Sequence, residues 1–227
     1  MEKSSLERPG CVKAVIFDMD GTLLNTLEDI RNAVNRVLSA RGYPTHPVDR
    51  YRSFVGDGWE MLVRRALPES AITPDSLKAC IEESMAAYAK TWDATTTPYA
   101  GIPELLTCLT QEGIRLAILS NKPHAFARQY VDKLLAAWVF EKVIGVSSRF
   151  RRKPDPAGAL SIVAELNTET KHCLLVGDSG VDMQTAAAAG IFSVGAAWGF
   201  RPEAELMENG CQFIARHPLD ILSLVTG

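Results

Sequence analysis

Two aspartates, Asp18 and Asp20, stand two positions apart where an apolar run ends, in the stretch VIFDMDGTLLNT. On a strand, side chains at positions i and i+2 lie on the same face, so these two carboxylates would converge. Such a pair of like charges is tolerated when a cation lies between them, when one carboxyl stays protonated, or when the two groups take different roles during a reaction. Each of these conditions indicates a site of chemistry.

Polar side chains also follow the later apolar runs of the sequence. They are Ser120, Asn121 and Lys122 after the second run, Lys153 beyond the third, and Asp178, Ser179 and Asp182 after the fourth. If the runs are parallel strands of one sheet, their carboxyl ends meet at one edge, and ligands bind outside that edge. We therefore expect a single crevice to collect these residues with Asp18 and Asp20.

The residue types in this crevice suit phosphoryl transfer. Asp18 can attack phosphorus and form an aspartyl-phosphate, while Asp20 protonates the departing oxygen and later takes a proton from water. Asp18 and Asp178 are hard oxygen ligands of the kind that Mg²⁺ prefers. Ser120 offers a hydroxyl donor, and Lys153 brings a positive charge to the negative charge that develops on the phosphoryl group.

The apolar runs that position these residues have the character of strands buried on both faces. Each is short, rich in branched residues and nearly continuous in hydrophobicity; they occupy residues 12–17, 114–120, 142–146, 172–177 and 192–197. Helical patterns alternate with them at residues 103–112, 123–137, 156–166 and 181–189. This alternation predicts an α/β fold with a Rossmann-like, doubly wound parallel sheet.

One interval, from Thr26 to about Trp92, contains no convincing strand and only helical periodicity. The threonines and Pro98 of the stretch DATTTPYAG, residues 93–101, disfavour helix and indicate the return to the sheet. The sequence therefore predicts two domains. Residues 1–24 and 97–227 form the α/β core, and residues 25–96, here called the helical insertion, form a second, helical domain.

The charge, the apolar runs and the cysteine pattern of the chain argue against several classes of function. The formal net charge of −3 gives no basic footprint for nucleic acid. No apolar run approaches the length that spans a bilayer, and the first ten residues, MEKSSLERPG, contain no apolar signal region. The five cysteines are scattered without C-x-x-C spacing, which indicates reduced thiols. We expect a cytoplasmic protein, monomer or homodimer, that binds neither nucleic acid nor membrane.

Four ordered motifs resemble those of the haloacid dehalogenase-like phosphohydrolases: DMDGTLL from Asp18, ILSNKP from Ile118, RKPDP from Arg152 and VGDSGVDMQTAAAAG from Val176. The resemblance implies a Rossmann-like core with a mobile helical cap and a Mg²⁺ cofactor. It also implies site residues: Asp18 as nucleophile, Asp20 as general acid and base, Lys153 as charge stabiliser, Thr22, Ser120 and Asn121 as substrate contacts, and Asp18, Asp20, Asp178 and Asp182 around the metal.

Within that family, the stretches FVGDGWEMLVRRAL, SNKPHAFARQYVDKLL and WGFRPEAEL resemble phosphoglycolate phosphatases. This likeness implies hydrolysis of a small phosphorylated metabolite, with 2-phosphoglycolate as the leading candidate and Arg52, Arg64 and Arg65 as candidate contacts for its carboxylate. Two alternatives stay open. One is phosphoryl transfer to a sugar phosphate, as in β-phosphoglucomutase-like enzymes, and the other is a non-catalytic binding or scaffold protein on the same fold.

Overall fold

The computed structural model describes residues 10–225, and a six-stranded parallel sheet forms the centre of the fold. The strands in chain order are β1 Ala14–Phe17, β2 Leu24–Asn25, β3 Thr97–Pro98, β4 Arg115–Pro123, β5 Phe140–Val146, β6 Cys173–Gly177, β7 Phe192–Ala196 and β8 Phe213–Ala215. The large sheet has the order β5-β4-β1-β6-β7-β8, and every neighbouring pair in it is parallel. This arrangement confirms the predicted α/β fold class.

Helices flank the sheet and fill the interval between β2 and β3. They are α1 Leu27–Ala40, α2 Val48–Phe54, α3 Trp59–Ala66, α4 Pro74–Thr91, α5 Ile102–Gln111, α6 His124–Leu134, α7 Ala157–Glu165, α8 Gly180–Ala189 and α9 Glu203–Glu208. Short 3₁₀ segments lie at Glu69–Ala71, Thr170–His172 and Pro218–Leu224. Among residues 10–225, no helix has both the length and the apolar character needed to cross a membrane.

The strands are continuously hydrophobic because both faces of the sheet are covered. Along β1, Val15 and Phe17 pack into one buried cluster with α5 and α6, whereas Ala14 and Ile16 pack into a second cluster with α7 and α8. The central strand β4 alternates in the same way. Apolar area is therefore removed from water on both sides of the sheet, which is the main stabilising contribution to this core.

The helical insertion begins and ends at an antiparallel pair of very short strands. Leu24 pairs with Pro98 and Asn25 with Thr97, so β2 and β3 bring the two ends of the insertion side by side. Between them, α1 packs against α4, and their buried residues join the same cluster as one face of the sheet. The division at residues 25 and 96 stays a prediction. Residues 1–9 and 226–227, assigned to the predicted core, lie outside the described residues, as does most of the MEKSSLERPG stretch.

Five of these elements are not predicted by the sequence pattern, and two of them, β2 and β3, have only two residues each. The strand β8 has only three residues at the sheet edge, and α9 has only six, so neither gives a measurable periodicity. The helix α2 has seven residues, of which only Tyr51 and Phe54 are buried. Elements this short are fixed by the tertiary contacts that they make rather than by their own pattern.

Candidate active site

The sheet register brings the ends of three strands together. Phe17, the last residue of β1, lies opposite Ile118 of β4 on one side and Val176 of β6 on the other. The main-chain N–H of Asp18 extends the pairing by donating to the carbonyl of Val176 at 2.8 Å. The polar residues that follow β1, β4 and β6 therefore meet at one edge of the sheet, as the sequence predicts.

A buried lysine joins two of the aspartates. Lys153 Nζ lies 2.9 Å from Asp18 Oδ1 and 2.6 Å from Asp182 Oδ1, and all three side chains are almost fully enclosed. Burial raises the pKa of Asp18 to about 7, against the opposing effect of Lys153, and the charge of Asp182 adds to the rise. Burial alone would lower the pKa of Lys153, but Asp18 and Asp182 outweigh it and raise that pKa, so the ammonium stays charged.

Asp182 has protein partners on both of its carboxylate oxygens. Besides the contact with Lys153, its Oδ2 accepts hydrogen bonds from the main-chain N–H of Ser179 at 3.1 Å and from Ser179 Oγ at 2.6 Å. These contacts are the capping box that begins α8. Asp182 therefore caps a helix and holds Lys153 at the same time.

Asp178 is enclosed by two glycines. A Cβ atom built on Gly21 would lie 2.3 Å from Asp178 Oδ2, and one built on Gly199 would lie 2.2 Å from Asp178 Cβ. The carboxylate accepts hydrogen bonds from the main-chain N–H of Phe200 at 2.7 Å and from Thr22 Oγ1 at 3.3 Å. Burial, together with the charges of Asp18 and then Asp182, raises the pKa of Asp178 well above its ordinary value.

The carboxylates of Asp18, Asp178 and Asp182 fit a metal ion. Each offers one oxygen, and these oxygens all lie within 4.8 Å of one another. Asp18 Oδ1 is buried and has no partner that satisfies hydrogen-bond geometry, although the Lys153 ammonium is near it. Three buried carboxylates beside one ammonium leave excess negative charge; burial first, and the neighbouring carboxylates after it, raise the pKa values of Asp18 and Asp178. A hard divalent cation would offset that charge.

Asp20 belongs to a second ion pair, with Lys122, a residue that the sequence places in the crevice but to which we assigned no role. Lys122 Nζ contacts both carboxylate oxygens of Asp20 at 2.9 Å, and its side chain is only 2% exposed. Lys122 lies two positions after Ser120 on β4. The alternation that relates Asp18 to Asp20 also relates Ser120 to Lys122, and this was the signal in the sequence that could have indicated a role for it.

The predicted substrate contacts lie at the same edge of the sheet, with different partners. The hydroxyl of Ser120 accepts a hydrogen bond from the main-chain N–H of Lys122 at 3.3 Å, and Ser120 lines the crevice. Asn121 also borders the crevice, but its amide makes hydrogen bonds to the main chain of Gly56 and Lys153. Thr22 is fully buried behind Asp178. The substrate-binding roles of these three residues stay predictions.

The crevice is a cavity of about 440 Å³ between the sheet edge and the helical insertion. Asp18, Asp20, Ser120 and Lys122 line one side, and the insertion covers the other side with an apolar wall of Ile30, Val55, Trp59 and Leu62. Arg52, Arg64 and Arg65 are not among its lining residues. Arg52 donates to the carbonyl of Gly199, while Arg64 and Arg65 pair with Glu60 and Asp57, respectively. Lys122 is therefore the cation that the lining of this cavity contains.

Arginines on the core hold the insertion against this edge of the sheet. Arg152 Nη1 donates to the carbonyl of Asp57 at 2.8 Å, and Arg201 Nη2 donates to the carbonyl of Val55 at 2.9 Å. Both acceptors lie between α2 and α3, in the loop that also lines the cavity. The structure therefore shows the helical insertion docked over the aspartates.

Comparison with known proteins places this geometry in a family. Residues 15–196 match the model of the haloacid dehalogenase-like hydrolases, a span that includes Asp18, Asp20, Lys153, Asp178 and the helical insertion. The match extends over most of the chain.

Named relatives and a solved structure agree with that match. The chain is 34% identical over 197 residues to the phosphoglycolate phosphatase of Pseudomonas putida, covering 85% of this chain and 72% of the relative. It is 36% identical over 179 residues to the phosphoglycolate phosphatase of Cereibacter sphaeroides, covering 78% and 81%. The crystal structure of a protein from Lactobacillus delbrueckii subsp. bulgaricus, titled a phosphoglycolate phosphatase, matches this structure with a TM-score of 0.88. The two sequences are 27% identical, and the match covers 95% of this chain and 99% of that one.

Proposed function

Since the chain belongs to the haloacid dehalogenase-like hydrolase family and is a phosphatase, we propose that it hydrolyses 2-phosphoglycolate with Mg²⁺ as its metal ion. The observation that carries this proposal is the group formed by Asp18, Lys153 and Asp182 beside Asp178, in which Asp18 also lines the cavity under the helical insertion. The names of the relatives support the choice of substrate.

Asp18 acts as the nucleophile, and Asp20 acts as the general acid and base. A carboxylate oxygen of Asp18 attacks phosphorus, the bond from phosphorus to the glycolate oxygen breaks, and that oxygen takes the proton carried by Asp20. Water then attacks the phosphorus of the aspartyl-phosphate and passes a proton to Asp20, and the bond to Asp18 breaks. Phosphate leaves, and both aspartates return to their starting states.

The surrounding side chains stabilise negative charge and hold the nucleophile. Lys153, fixed by Asp182, keeps a positive charge beside Asp18, where the phosphoryl oxygens would lie. Ser120 is the proposed hydroxyl contact of the phosphoryl group, with Asn121 beside it; Thr22, whose hydroxyl donates to Asp178, is proposed to act by holding that carboxylate. Each donor to the phosphoryl group contributes about 3 kcal/mol to transition-state stabilisation in comparable sites.

Asp18 and Asp178 are the proposed ligands of Mg²⁺, because their carboxylate oxygens converge beside that of Asp182 in a buried site. When bound, the ion offsets the negative charge of the carboxylates and of the phosphoryl group. Asp20 and Asp182, which are also predicted to take part in metal binding, are engaged by Lys122 and Lys153, respectively. Their part in holding the ion stays a prediction.

Residues 25–96 are the proposed cap domain. In the docked state the apolar wall formed by Ile30, Val55, Trp59 and Leu62 excludes water from the phosphoryl site and limits the size of the substrate. Opening and closing at the β2–β3 pair would admit substrate and release product.

The test is phosphate release from a panel of 2-phosphoglycolate, sugar phosphates, nucleotides and pyrophosphate, with Mg²⁺ and with a chelator. We expect 2-phosphoglycolate to have the highest kcat/KM, chelation to abolish release, and Asp18→Asn to lower release by at least about 1,000-fold. Asp49→Asn, at an exposed aspartate of α2, is the matched control and should leave release unchanged. Release from other members of the panel only would contradict the substrate assignment, and no release from any of them would contradict the phosphatase itself.

A further inference from the structure

The ion pair between Lys122 and Asp20 has a symmetric geometry. Lys122 Nζ lies 2.9 Å from each of the two oxygens of Asp20, and the ammonium is almost fully buried whereas the carboxylate is 14% exposed, on the cavity side. A cation that holds both oxygens fixes the rotation of the carboxyl group as well as its position. Asp20 therefore presents one defined orientation to the cavity.

Lys122 is itself held by two aromatic rings. The ammonium lies 5.1 Å from the ring centroid of Tyr88 and 5.0 Å from that of Tyr130, and the hydroxyl oxygens of the two tyrosines are 2.6 Å apart. Burial raises the pKa of both phenols above the ordinary value, so both rings stay neutral and neither competes with Asp20 as a counter-ion. The two rings leave the Lys122 side chain little freedom.

The two tyrosines come from different parts of the fold. Tyr88 lies on α4 in the helical insertion, and Tyr130 lies on α6, which packs against the sheet. Tyr88 also packs against Trp59, a residue of the cavity wall, with ring centroids 4.8 Å apart. The position of Lys122, and through it that of Asp20, thus depends on the docked insertion.

From these contacts we propose that Lys122 is a positioning residue for the general acid: it orients the Asp20 carboxyl toward the leaving-group oxygen, and the Tyr88–Tyr130 pair completes this arrangement only when the helical insertion is docked. The inference rests on the proposed phosphatase function and adds a named residue to it. Orientation matters because proton transfer in the transition state requires the acid within hydrogen-bond reach of the departing oxygen.

Substrates whose leaving groups differ in acidity distinguish positioning of the general acid by Lys122 from other roles of this residue. Ethyl phosphate and 2-phosphoglycolate release alkoxide oxygens that need a proton in the transition state, whereas p-nitrophenyl phosphate releases a stable phenolate that needs almost none. Ethyl phosphate has no carboxylate, so it also separates acid positioning from direct binding of the substrate carboxylate by Lys122. The value of kcat/KM covers the steps up to departure of the leaving group and excludes the later hydrolysis of the aspartyl-phosphate.

The experiment compares wild type, Lys122→Met and Lys122→Arg on these three substrates with Mg²⁺. We expect Lys122→Met to lower kcat/KM for both alkyl phosphates by at least about 10-fold more than for p-nitrophenyl phosphate, because general acid catalysis contributes about 100-fold or more. Lys122→Arg should recover part of the difference. Lys133→Met is the matched control, since Lys133 also lies over an aromatic ring, that of Trp92, and pairs with an aspartate, but on the surface.

Three other outcomes would contradict either the role proposed for Lys122 or the phosphatase function on which it rests. An equal loss on all three substrates means that Lys122 has a structural role only, and a loss confined to 2-phosphoglycolate means that it binds the substrate carboxylate. Either result contradicts the proposal. Absence of phosphate release by wild type overturns the proposed function and the inference with it. Circular dichroism and thermal melting check folding first; if Lys122→Met does not fold, Lys122→Gln, which keeps a donor and removes the charge, takes its place in the same comparison.

Discussion

The side-chain amide of Asn121 donates a hydrogen bond to the main-chain carbonyl of Gly56 at 2.9 Å, across the boundary between the sheet core and the helical insertion. The same amide accepts a hydrogen bond from the main-chain N–H of Lys153 at 2.7 Å and donates to the Lys153 carbonyl at 3.2 Å. One side chain therefore connects the loop of the insertion to the segment that carries the buried lysine. Docking of the insertion and placement of Lys153 depend on each other through it.

Replacing Asn121 by alanine should destabilise the protein. Asn121→Ala leaves the buried N–H of Lys153 without its partner, which costs roughly 1–3 kcal/mol. We expect the free energy of unfolding, measured by urea denaturation, to fall by this amount. Asn32→Ala, at an exposed position of α1, is the control and should change it by less than about 0.5 kcal/mol. Equal free energies of unfolding for Asn121→Ala and Asn32→Ala would contradict a role of Asn121 in joining the insertion to the Lys153 segment.

Removing the charge of Lys153 should be more costly. Lys153→Met leaves Asp18 and Asp182 buried without a cation, and breaking such a buried pair costs about 3–5 kcal/mol. Denaturant unfolding in the presence of a chelator measures the loss without compensation by a metal. Lys133→Met removes a lysine that is 60% exposed in its ion pair with Asp93, and it should cost no more than about 1 kcal/mol. Similar losses for the two lysines would contradict this prediction.

Without metal, the free energy of unfolding of the wild-type protein should fall relative to that of Asp18→Asn as the pH rises. Burial raises the pKa of Asp18 from 3.8 to about 7 in the folded state, so folding favours the protonated form. This contribution is fully present below about pH 4 and is lost as the pH rises through about 7. The asparagine variant lacks it, and the gap between the two proteins should change by up to about 1.4 kcal/mol per pH unit within that window.

Unfolding by denaturant at pH 5, 6, 7 and 8 in a chelator measures this gap. Above pH 7 the two stability curves should become parallel, because Asp18 is then ionised in both the folded and the unfolded wild-type protein. Parallel curves over the whole range would show that Asp18 does not titrate in this window.

A methyl group at Gly199 should displace the carboxylate of Asp178, which lies beside Asp18. The added Cβ would lie 2.2 Å from Asp178 Cβ and 2.5 Å from the carbonyl oxygen of Gly21, so the main chain or Asp178 must shift. We expect Gly199→Ala to weaken binding of Mg²⁺, measured by calorimetry, by at least about 10-fold. Gly10→Ala, where none of residues 10–225 has an atom within 4 Å of the added one, should leave it unchanged. Unaltered affinity in Gly199→Ala would exclude Asp178 as a ligand.

A buried carboxylate fixes the segment that returns from the insertion to the sheet. Asp29 on α1 accepts hydrogen bonds from the N–H groups and hydroxyls of both Thr95 and Thr96, at 2.7 to 3.1 Å. Asp29→Asn turns an acceptor into a donor facing donors, and we expect it to lower the free energy of unfolding by at least about 3 kcal/mol. Asp49→Asn should change it by less than about 1 kcal/mol. A small effect at Asp29 would contradict its structural role.

The sheet and its aspartates could be predicted from sequence because each depends on local pattern. Strands buried on both faces are hydrophobic throughout, as in β1, and the polar residue after each strand has its place fixed by the sheet register. Asp18 and Asp178 were identified in this way, and the structure brings them together.

The pairing of Lys122 with Asp20 and the contacts of Asp29 with Thr95 and Thr96 could not be predicted, because they join residues distant in sequence. Lys122 is 102 positions from Asp20, and Asp29 is 66 positions from Thr95. No periodicity relates such pairs. The helical periodicity between Thr26 and Trp92 correctly predicted helix at α1, but it gave no indication that Asp29, next to the buried Ile30, is also fully buried.

The pairing of β2 with β3 has an evolutionary consequence. Because Leu24 lies opposite Pro98, all of the chain between them starts and finishes at one point on the core, and a change in its length or helix content leaves the distance between those two ends unaltered. Exchange of the whole intervening segment in the course of evolution should therefore leave Asp18, Lys153 and Asp178 in their places on the core.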